Sequence, residues 1–322
     1  KISVWGLGKH ALKNIIPVLD KNKNIELYGV FSRNKNVVKK CCKDFDCVTW
    51  ESEEEMLCDD NLDAVYSATP PALRYHQAKK ILNAKKHFWG EKPIFTNFKQ
   101  TKEIIEISRK ENLTICEGFM FLYHPQYKWI KNYLKKYDVS QINSININFT
   151  IPKSDTISYR FDKSLGGSSF LDIGIYLIQA INDLFPDKKV KVEYSRIIED
   201  KISGIDLKGE MILSLFLGPN FYLTWGMNLP YRNEIDISTI DNSIFSDRIF
   251  SKKEDFEPKI VKKNIYGDKE IIKIKKTNQF SEMFDEFYKA TLSEEKAEEH
   301  RNSIMNLYEL VEKVHTLNQP SK

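Results

Sequence analysis

Through the first third of the chain, short apolar runs alternate with stretches whose apolar positions recur at helical spacing. ISVWG, IELYGVFS, CVTW, LDAVYSAT, HFWGEKPIF and LTICEGF read as strands, the fifth ending in a loop. Between them HALKNIIPVLDK, VVKKCCKDF, EEEMLCD, ALRYHQAKKILNAK and NFKQTKEIIEISRKEN read as helices, with Pro70 and Pro71 marking a turn. Repetition of strand, helix and strand predicts a parallel sheet with helices on both faces.

After about Gly118 the pattern changes. A helix over YHPQYKWIKNYLKK is followed by the alternating run SININFTI, then by LGGSSFLDIGIYLIQ, Leu165 to Gln179. That last run is apolar almost all round, the profile of a buried helix, yet it carries Asp172 and, one turn on, Tyr176. From Val190 come VKVEYSRII, GEMILSLFL, NFYLTWGMN, NEIDISTI, SIFSDRIFS and KIVKKNIY, separated by turn residues in the manner of antiparallel hairpins. Two helices, QFSEMFDEFYKATLS and EHRNSIMNLYELVEKVHTL, close the chain. The expectation is an α/β first domain over residues 1–120 and an α+β second domain over 121–322. The second has an open, mostly antiparallel sheet with one helix-covered face, and the last helices can pack back on the first domain.

Composition narrows the function classes. A chain of 322 residues suits two domains, and 41% hydrophobic with 29% charged residues is ordinary for a soluble globular protein. The net charge of +4 comes from lysines spread along the chain, which argues against a nucleic-acid partner. Cys41, Cys42, Cys47, Cys58 and Cys116 are odd in number and lack paired zinc spacing, so neither a disulfide framework nor a metal site is expected. KISVWG reads as a strand rather than a leader, and no apolar run reaches the ~18 residues of a membrane span. These features point to a cytoplasmic protein with no membrane partner.

The chemistry begins at the first strand–helix turn. GLGKHA, Gly6 to Ala11, fits the G-x-G-x-x-A dinucleotide fingerprint in its required context. Gly6 permits the tight turn, Gly8 lets a pyrophosphate approach the backbone, and Ala11 allows close helix–strand packing. Leu7, Lys9 and His10 lie between and beside them at a helix N-terminus, which favours an anion. The first domain is therefore expected to be a nucleotide-binding Rossmann domain. At the end of the second strand stand Phe31, Ser32, Arg33 and Asn34, with no acid for the ribose hydroxyls of NAD. Arg33 can pair with a 2′-phosphate and Ser32 can donate to it, so NADP(H) is favoured over NAD(H).

The segments SATPPALRYHQAKKIL, AKKHFWGEKPI, CEGFMFLYHPQ and LGGSSFLDIGIYLI, in that order, resemble the glucose–fructose oxidoreductase/inositol dehydrogenase (Gfo/Idh/MocA) family. The resemblance covers the Rossmann half and the start of the second domain. It implies hydride transfer between NAD(P) and a sugar, cyclitol or polyol carbon, and a homodimer or homotetramer built through the C-terminal sheet. Thr69, Pro70 and Glu91 would contact cofactor, and Lys92 of Glu91-Lys92-Pro93 would touch both substrate oxygen and the nicotinamide ribose. Asp172 and Tyr176 match the family's Asp followed four residues on by His or Tyr, in the tyrosine version. His124 falls in another family-like segment, as a cleft-lining or structural residue, and Arg74 replaces a histidine common in relatives.

An ionised Asp172 in so apolar a helix needs a partner, and Lys92 is the one the resemblance supplies. A cation near Tyr176 would favour its phenolate, making the phenol a usable acid for ketone reduction or base for alcohol oxidation. Lys92, Asp172 and Tyr176 are thus the expected catalytic set. Tyr159, Arg160, Tyr231, Arg232 and Arg248 can engage a diphosphate or sugar hydroxyls. The expected reaction is NADPH-linked reduction of a keto group on a nucleotide-linked sugar. Dehydrogenation of a free sugar or trans-diol stays open, as does a non-catalytic regulatory module.

Overall fold

The computed structural model describes residues 1–153 and 159–318. Their contacts divide the chain into two compact units, Lys1–Phe119 with Phe280–Met305, and Met120–Gln279 with Asn306–Lys322.

In the first unit, strands β1 (Ile2–Trp5), β2 (Leu27–Phe31), β3 (Ala64–Ser67), β4 (His87–Glu91) and β5 (Ile115–Gly118) form one sheet ordered β2-β1-β3-β4-β5. Every pairing in it is parallel, as the strand–helix alternation predicts. The crossover helices are α1 (Ile16–Asp20), α2 (Lys35–Phe45), α3 (Glu53–Cys58), α4 (Pro71–Asn83) and α5 (Phe98–Lys110). Side-chain caps start three of them: Asn34 accepts from Val37 N, Ser52 from Glu55 N and Asn97 from Gln100 N.

Two local departures have plain causes. The first helix is a π turn over Ala11–Ile15 that passes into α1 at Pro17, a residue with no N–H for the regular ladder. CVTW, expected as a strand, makes a single bridge between Val48 and Gly29. Beyond it the chain turns inward, because Trp50 is buried against Gly29 and donates its indole N–H to Asp59 at 3.0 Å.

Helices α8 (Gln279–Thr291) and α9 (Glu294–Leu317) end the chain, and the division between units falls within α9. Buried Arg301 ties the N-terminal part of α9 to the first unit. It donates to Ser108 Oγ and the Leu113 carbonyl, both at 3.1 Å, and pairs with Glu294 at 2.6 Å and Glu298 at 2.9 Å.

The second unit is built on eight strands: β6 (Ile142–Ile151), β7 (Val190–Glu199), β8 (Asp206–Leu215), β9 (Asn220–Met227), β10 (Arg232–Thr239), β11 (Asn242–Asp247), β12 (Lys259–Asn264) and β13 (Lys269–Lys273). Their order is β13-β12-β11-β10-β6-β9-β8-β7. All neighbours are antiparallel except β6 and β9. Helices α6 (Pro125–Leu134) and α7 (Ile175–Leu184) accompany this sheet, and Tyr127 of α6 donates to the Ala180 carbonyl of α7 at 2.9 Å. Inward-facing Phe221, Leu223 and Trp225 of β9 and Phe149 of β6 are buried, Trp225 against Phe170. The helical run Lys163–Leu184 has a window with the length and mean hydropathy, 1.2, of a membrane span, contrary to expectation. That window is 78% buried within the protein, so it is read as a core helix.

Candidate active site

In the first unit, Gly6 sits at φ +105°, and a Cβ there would meet Thr69 Cγ2 at 2.9 Å and the Ala68 carbonyl carbon at 3.0 Å. Only glycine fits this turn. A Cβ on Gly8 would meet nothing within 4 Å, so the backbone there opens onto free space. An open, close-approach glycine at a strand–helix turn fits the pyrophosphate of a dinucleotide. Leu7 is buried beneath the turn, while Lys9 is exposed beside it.

Ser32 and Arg33 follow β2. Asn34 N donates to Ser32 Oγ at 3.4 Å, and Arg33 is exposed with no ion pair among the described residues. Thr69 and Pro70 form the turn into α4, where Thr69 Oγ1 and Ser67 Oγ both bond Gln77 Oε1, at 2.7 and 2.8 Å.

His10 and Glu91 bond each other: His10 Nε2 lies 2.9 Å from Glu91 Oε1, which also accepts from Tyr66 Oη at 2.7 Å. Burial would raise the Glu91 pKa, but the charge and hydrogen bond of His10, the Tyr66 hydroxyl and the Arg74 guanidinium hold it at about 2. Glu91 is therefore a fixed carboxylate that anchors the strand end before Lys92.

Lys92 is 9% exposed and joined to Pro93 by a cis peptide bond. Its loop is pinned by a residue the sequence marked only as a departure. Arg74, 2% exposed, donates Nη1 to the carbonyls of Glu91 and Pro93, both at 2.5 Å, and Nη2 to the Thr69 carbonyl. One guanidinium thus clasps the peptide carbonyls on both sides of Lys92 and the Thr69 turn. Ile94 N donates to Glu117 Oε1 at 2.8 Å and fixes the loop's far end. Lysine cannot reproduce the planar fork. Arg74→Lys is expected to lower unfolding free energy by about 1–3 kcal/mol, because buried carbonyls lose their donors; urea denaturation measures it.

The second unit carries Asp172 and Tyr176. The π turn Phe170–Gly174 leads into α7, and Asp206 Oδ2 holds its start by accepting from Phe170 N at 2.6 Å and Ser169 Oγ at 2.7 Å. Asp172 is 6% exposed, and its charge partner within the unit is Arg160, Nε to Oδ2 at 2.5 Å. This pairing was not among the sequence expectations, which gave Arg160 to substrate. Arg160 follows a stretch with no helical or strand spacing to Asp172, so no sequence signal gave the pairing. The Asp172 carboxylate pushes the Arg160 pKa up, and Tyr159 and Tyr176 add to it. The Arg160 guanidinium also lies 5.2 Å from the Tyr159 ring. Gly167 lets this turn approach: a Cβ there would meet the Arg160 and Tyr159 carbonyl oxygens at 2.6 and 2.7 Å.

Tyr176 is 5% exposed in an aromatic nest, its ring 5.4 Å from Phe149, 5.5 Å from Phe250 and 5.8 Å from Phe121. Its hydroxyl lies 3.8 Å from Met120 Sδ.

His124 is fully buried and caps α6, Nδ1 accepting from Gln126 N at 3.0 Å. Burial, with the Lys252 and Lys128 cations, pushes its pKa down to about 3. It is neutral near pH 7, with its proton on Nε2, and serves as a cap rather than an acid or base.

A fingerprint turn, an open glycine and a buried Lys on a braced loop define a nucleotide-dependent oxidoreductase fold, and the comparisons agree. Residues 1–119 match the Gfo/Idh/MocA family, described as an oxidoreductase family with an NAD-binding Rossmann fold. Over 317 residues the chain is 26% identical to the dTDP-3,4-didehydro-2,6-dideoxy-alpha-D-glucose 3-reductase of Actinomadura kijaniata, 98% of this chain and 95% of that protein. Over 167 residues it is 31% identical to the scyllo-inositol 2-dehydrogenase (NADP(+)) of Bacillus subtilis, covering 50% of each. A solved 3-ketoreductase from Actinomadura kijaniata, in complex with NADP and TDP-benzene, matches with a TM-score of 0.92 at 26% identity, over 99% of this chain and 97% of that one.

Proposed function

We propose that this oxidoreductase uses NADPH to reduce a keto group of a nucleotide-linked sugar. The observation that carries the reading is Tyr176, a buried phenol in an aromatic nest one turn after an ion-paired aspartate, in a chain similar end to end to a dTDP-sugar 3-reductase. The nicotinamide, when bound, supplies the hydride.

The chain's own residues do the rest. Tyr176 gives a proton to the carbonyl oxygen as negative charge develops there. Lys92 directs its ammonium at the same oxygen and polarises it. Asp172 holds Arg160, and with it the Tyr159 turn, in the place where sugar hydroxyls are bound. Aromatic walls around Tyr176 exclude water. Gly6, Gly8 and the helix-start amides take the pyrophosphate, and Arg33 takes the 2′-phosphate.

Association of copies is proposed through the uncovered face of the eight-stranded sheet. Tyr194, Ile212 and Tyr222 pair side by side across β7, β8 and β9. Phe245, Val261 and Ile271 continue that row beyond Asn146 and Asp236. A row of half-exposed apolar and aromatic side chains suits a homodimer or homotetramer interface.

The test is consumption of NADPH against NADH over nucleotide-linked keto sugars, free sugars and trans-diols. NADPH oxidation by a nucleotide-linked keto sugar is expected. Arg33→Ala should raise the KM for NADPH about ten- to a hundredfold and leave that for NADH unchanged, since one charge-assisted contact is lost. Equal use of both cofactors by the wild type overturns the NADP assignment. Turnover of free sugars or diols alone overturns the substrate, and no turnover at all returns the chain to a binding module.

A further inference from the structure

Three arginines of the second unit were open to an anionic ligand, and the structure separates them. Arg160 is engaged by Asp172, and Arg232 by Glu234, Nε at 2.9 Å and Nη2 at 2.5 Å. Arg248 has no carboxylate partner among the described residues, although Glu254, Asp255 and Glu257 lie on the same loop.

Arg248 is nonetheless held. Its guanidinium carbon lies 5.4 Å from the centre of the Tyr231 ring and 5.3 Å from that of Phe256, so two aromatic groups gather about one cation. Its backbone is at φ +48°, a left-handed conformation that a non-glycine residue adopts at some cost. Neighbouring groups hold that conformation. Asn233 accepts from Phe250 N at 2.9 Å, and its amide donates to Tyr231 Oη at 3.0 Å and to the Ser251 carbonyl at 3.2 Å. Lys252 donates to the Ile249 carbonyl at 2.9 Å.

The clamp adjoins the nest of Tyr176. Phe250, two residues after Arg248, packs 5.5 Å from the Tyr176 ring and 5.2 Å from Phe149. Two residues of chain span at most ~7 Å. Sheet register gives the same placement. Thr150, one residue after Phe149, pairs with Arg232, which follows Tyr231, and Glu234 pairs with Asp247, which precedes Arg248. A cation with no carboxylate partner among the described residues thus lies on the same short segment as Phe250, which walls the Tyr176 nest.

We propose that Arg248, set between Tyr231 and Phe256, binds the diphosphate of the nucleotide-linked substrate and so separates activated sugars from free ones. This rests on the nucleotide-sugar reading above. With aromatic rings beside it and no carboxylate partner among the described residues, the guanidinium can offer its N–H groups to two phosphate oxygens. A free sugar offers no anion there and gains nothing from the clamp.

The experiment is calorimetric titration of the NADP-loaded full chain with dTDP, and separately with thymidine. Arg248→Met should weaken dTDP about ten- to a hundredfold and leave thymidine and NADP affinity unchanged. Tyr231→Leu, which removes one wall and keeps the charge, should weaken dTDP by a smaller factor. Lys253→Met, which removes a positive charge from the same loop without touching the clamp, should leave dTDP binding as in the wild type. Undiminished dTDP binding by Arg248→Met overturns the subsite alone, as does an equal loss for thymidine or for Lys253→Met. A wild-type chain that binds no dTDP overturns the nucleotide-sugar reading, and the subsite with it.

Discussion

Tyr176→Phe is expected to lower kcat for keto-sugar reduction by about 10²–10⁴-fold, the range for losing a positioned general acid. NADPH affinity should not change, because every cofactor contact assigned here lies in the first unit. The substitution is mild for packing. Phenylalanine keeps the ring that meets Phe121, Phe149 and Phe250, so stability should shift by no more than about 1 kcal/mol. Single-turnover mixing separates the outcomes: a slowed hydride step at saturating NADPH, with an unchanged Kd and an unchanged melting temperature. Wild-type turnover would mean that the proton comes from elsewhere. A loss that tracks a lowered melting temperature would make Tyr176 a packing residue.

The parts that the sequence made legible are those where burial writes a period into the chain. ISVW, AVYS and ICEG are wholly buried, and such short unbroken runs between helices leave little besides a parallel sheet. In β6 and β10 the alternation of Ile145, Ile147, Ile235 and Ile237 with polar neighbours gives strands and faces together. Pairing is harder. The parallel match of β6 with β9 joins segments separated by the whole Asp172 helix and two strands, and hairpin signals speak only of neighbours. Strand β13 escaped notice because Lys269, Glu270 and Lys273 crowd a short edge strand.

The candidate site divides in the same way. Motif residues such as Gly6, Lys92, Asp172 and Tyr176 are visible because spacing and resemblance mark them. Their supports are not. Arg74 works on peptide carbonyls, which no side-chain pattern records, and Arg160 meets Asp172 through a turn of irregular spacing. His124, read from the sequence as a cleft-lining or structural residue, caps α6 through a hydrogen bond from Gln126 N that no side-chain pattern announces.

Lys92→Met should lower kcat by about 10²–10³-fold, the loss typical when one group stabilising a developing oxyanion is removed. Methionine keeps the length and apolar stem of the side chain. The loop should hold its shape, because Arg74 grips the peptide carbonyls of Glu91 and Pro93 rather than the lysine side chain. That separation makes the role of Arg74 measurable. If Arg74 acts by aiming Lys92, then Arg74→Lys lowers kcat in the wild-type background and lowers it little further in Lys92→Met, since the ammonium it aims is gone. Residues acting as one unit are non-additive in this way, whereas independent ones multiply. Multiplying losses would make Arg74 a stabiliser of the fold alone, and a Lys92→Met enzyme with undiminished kcat would remove the lysine from the chemistry.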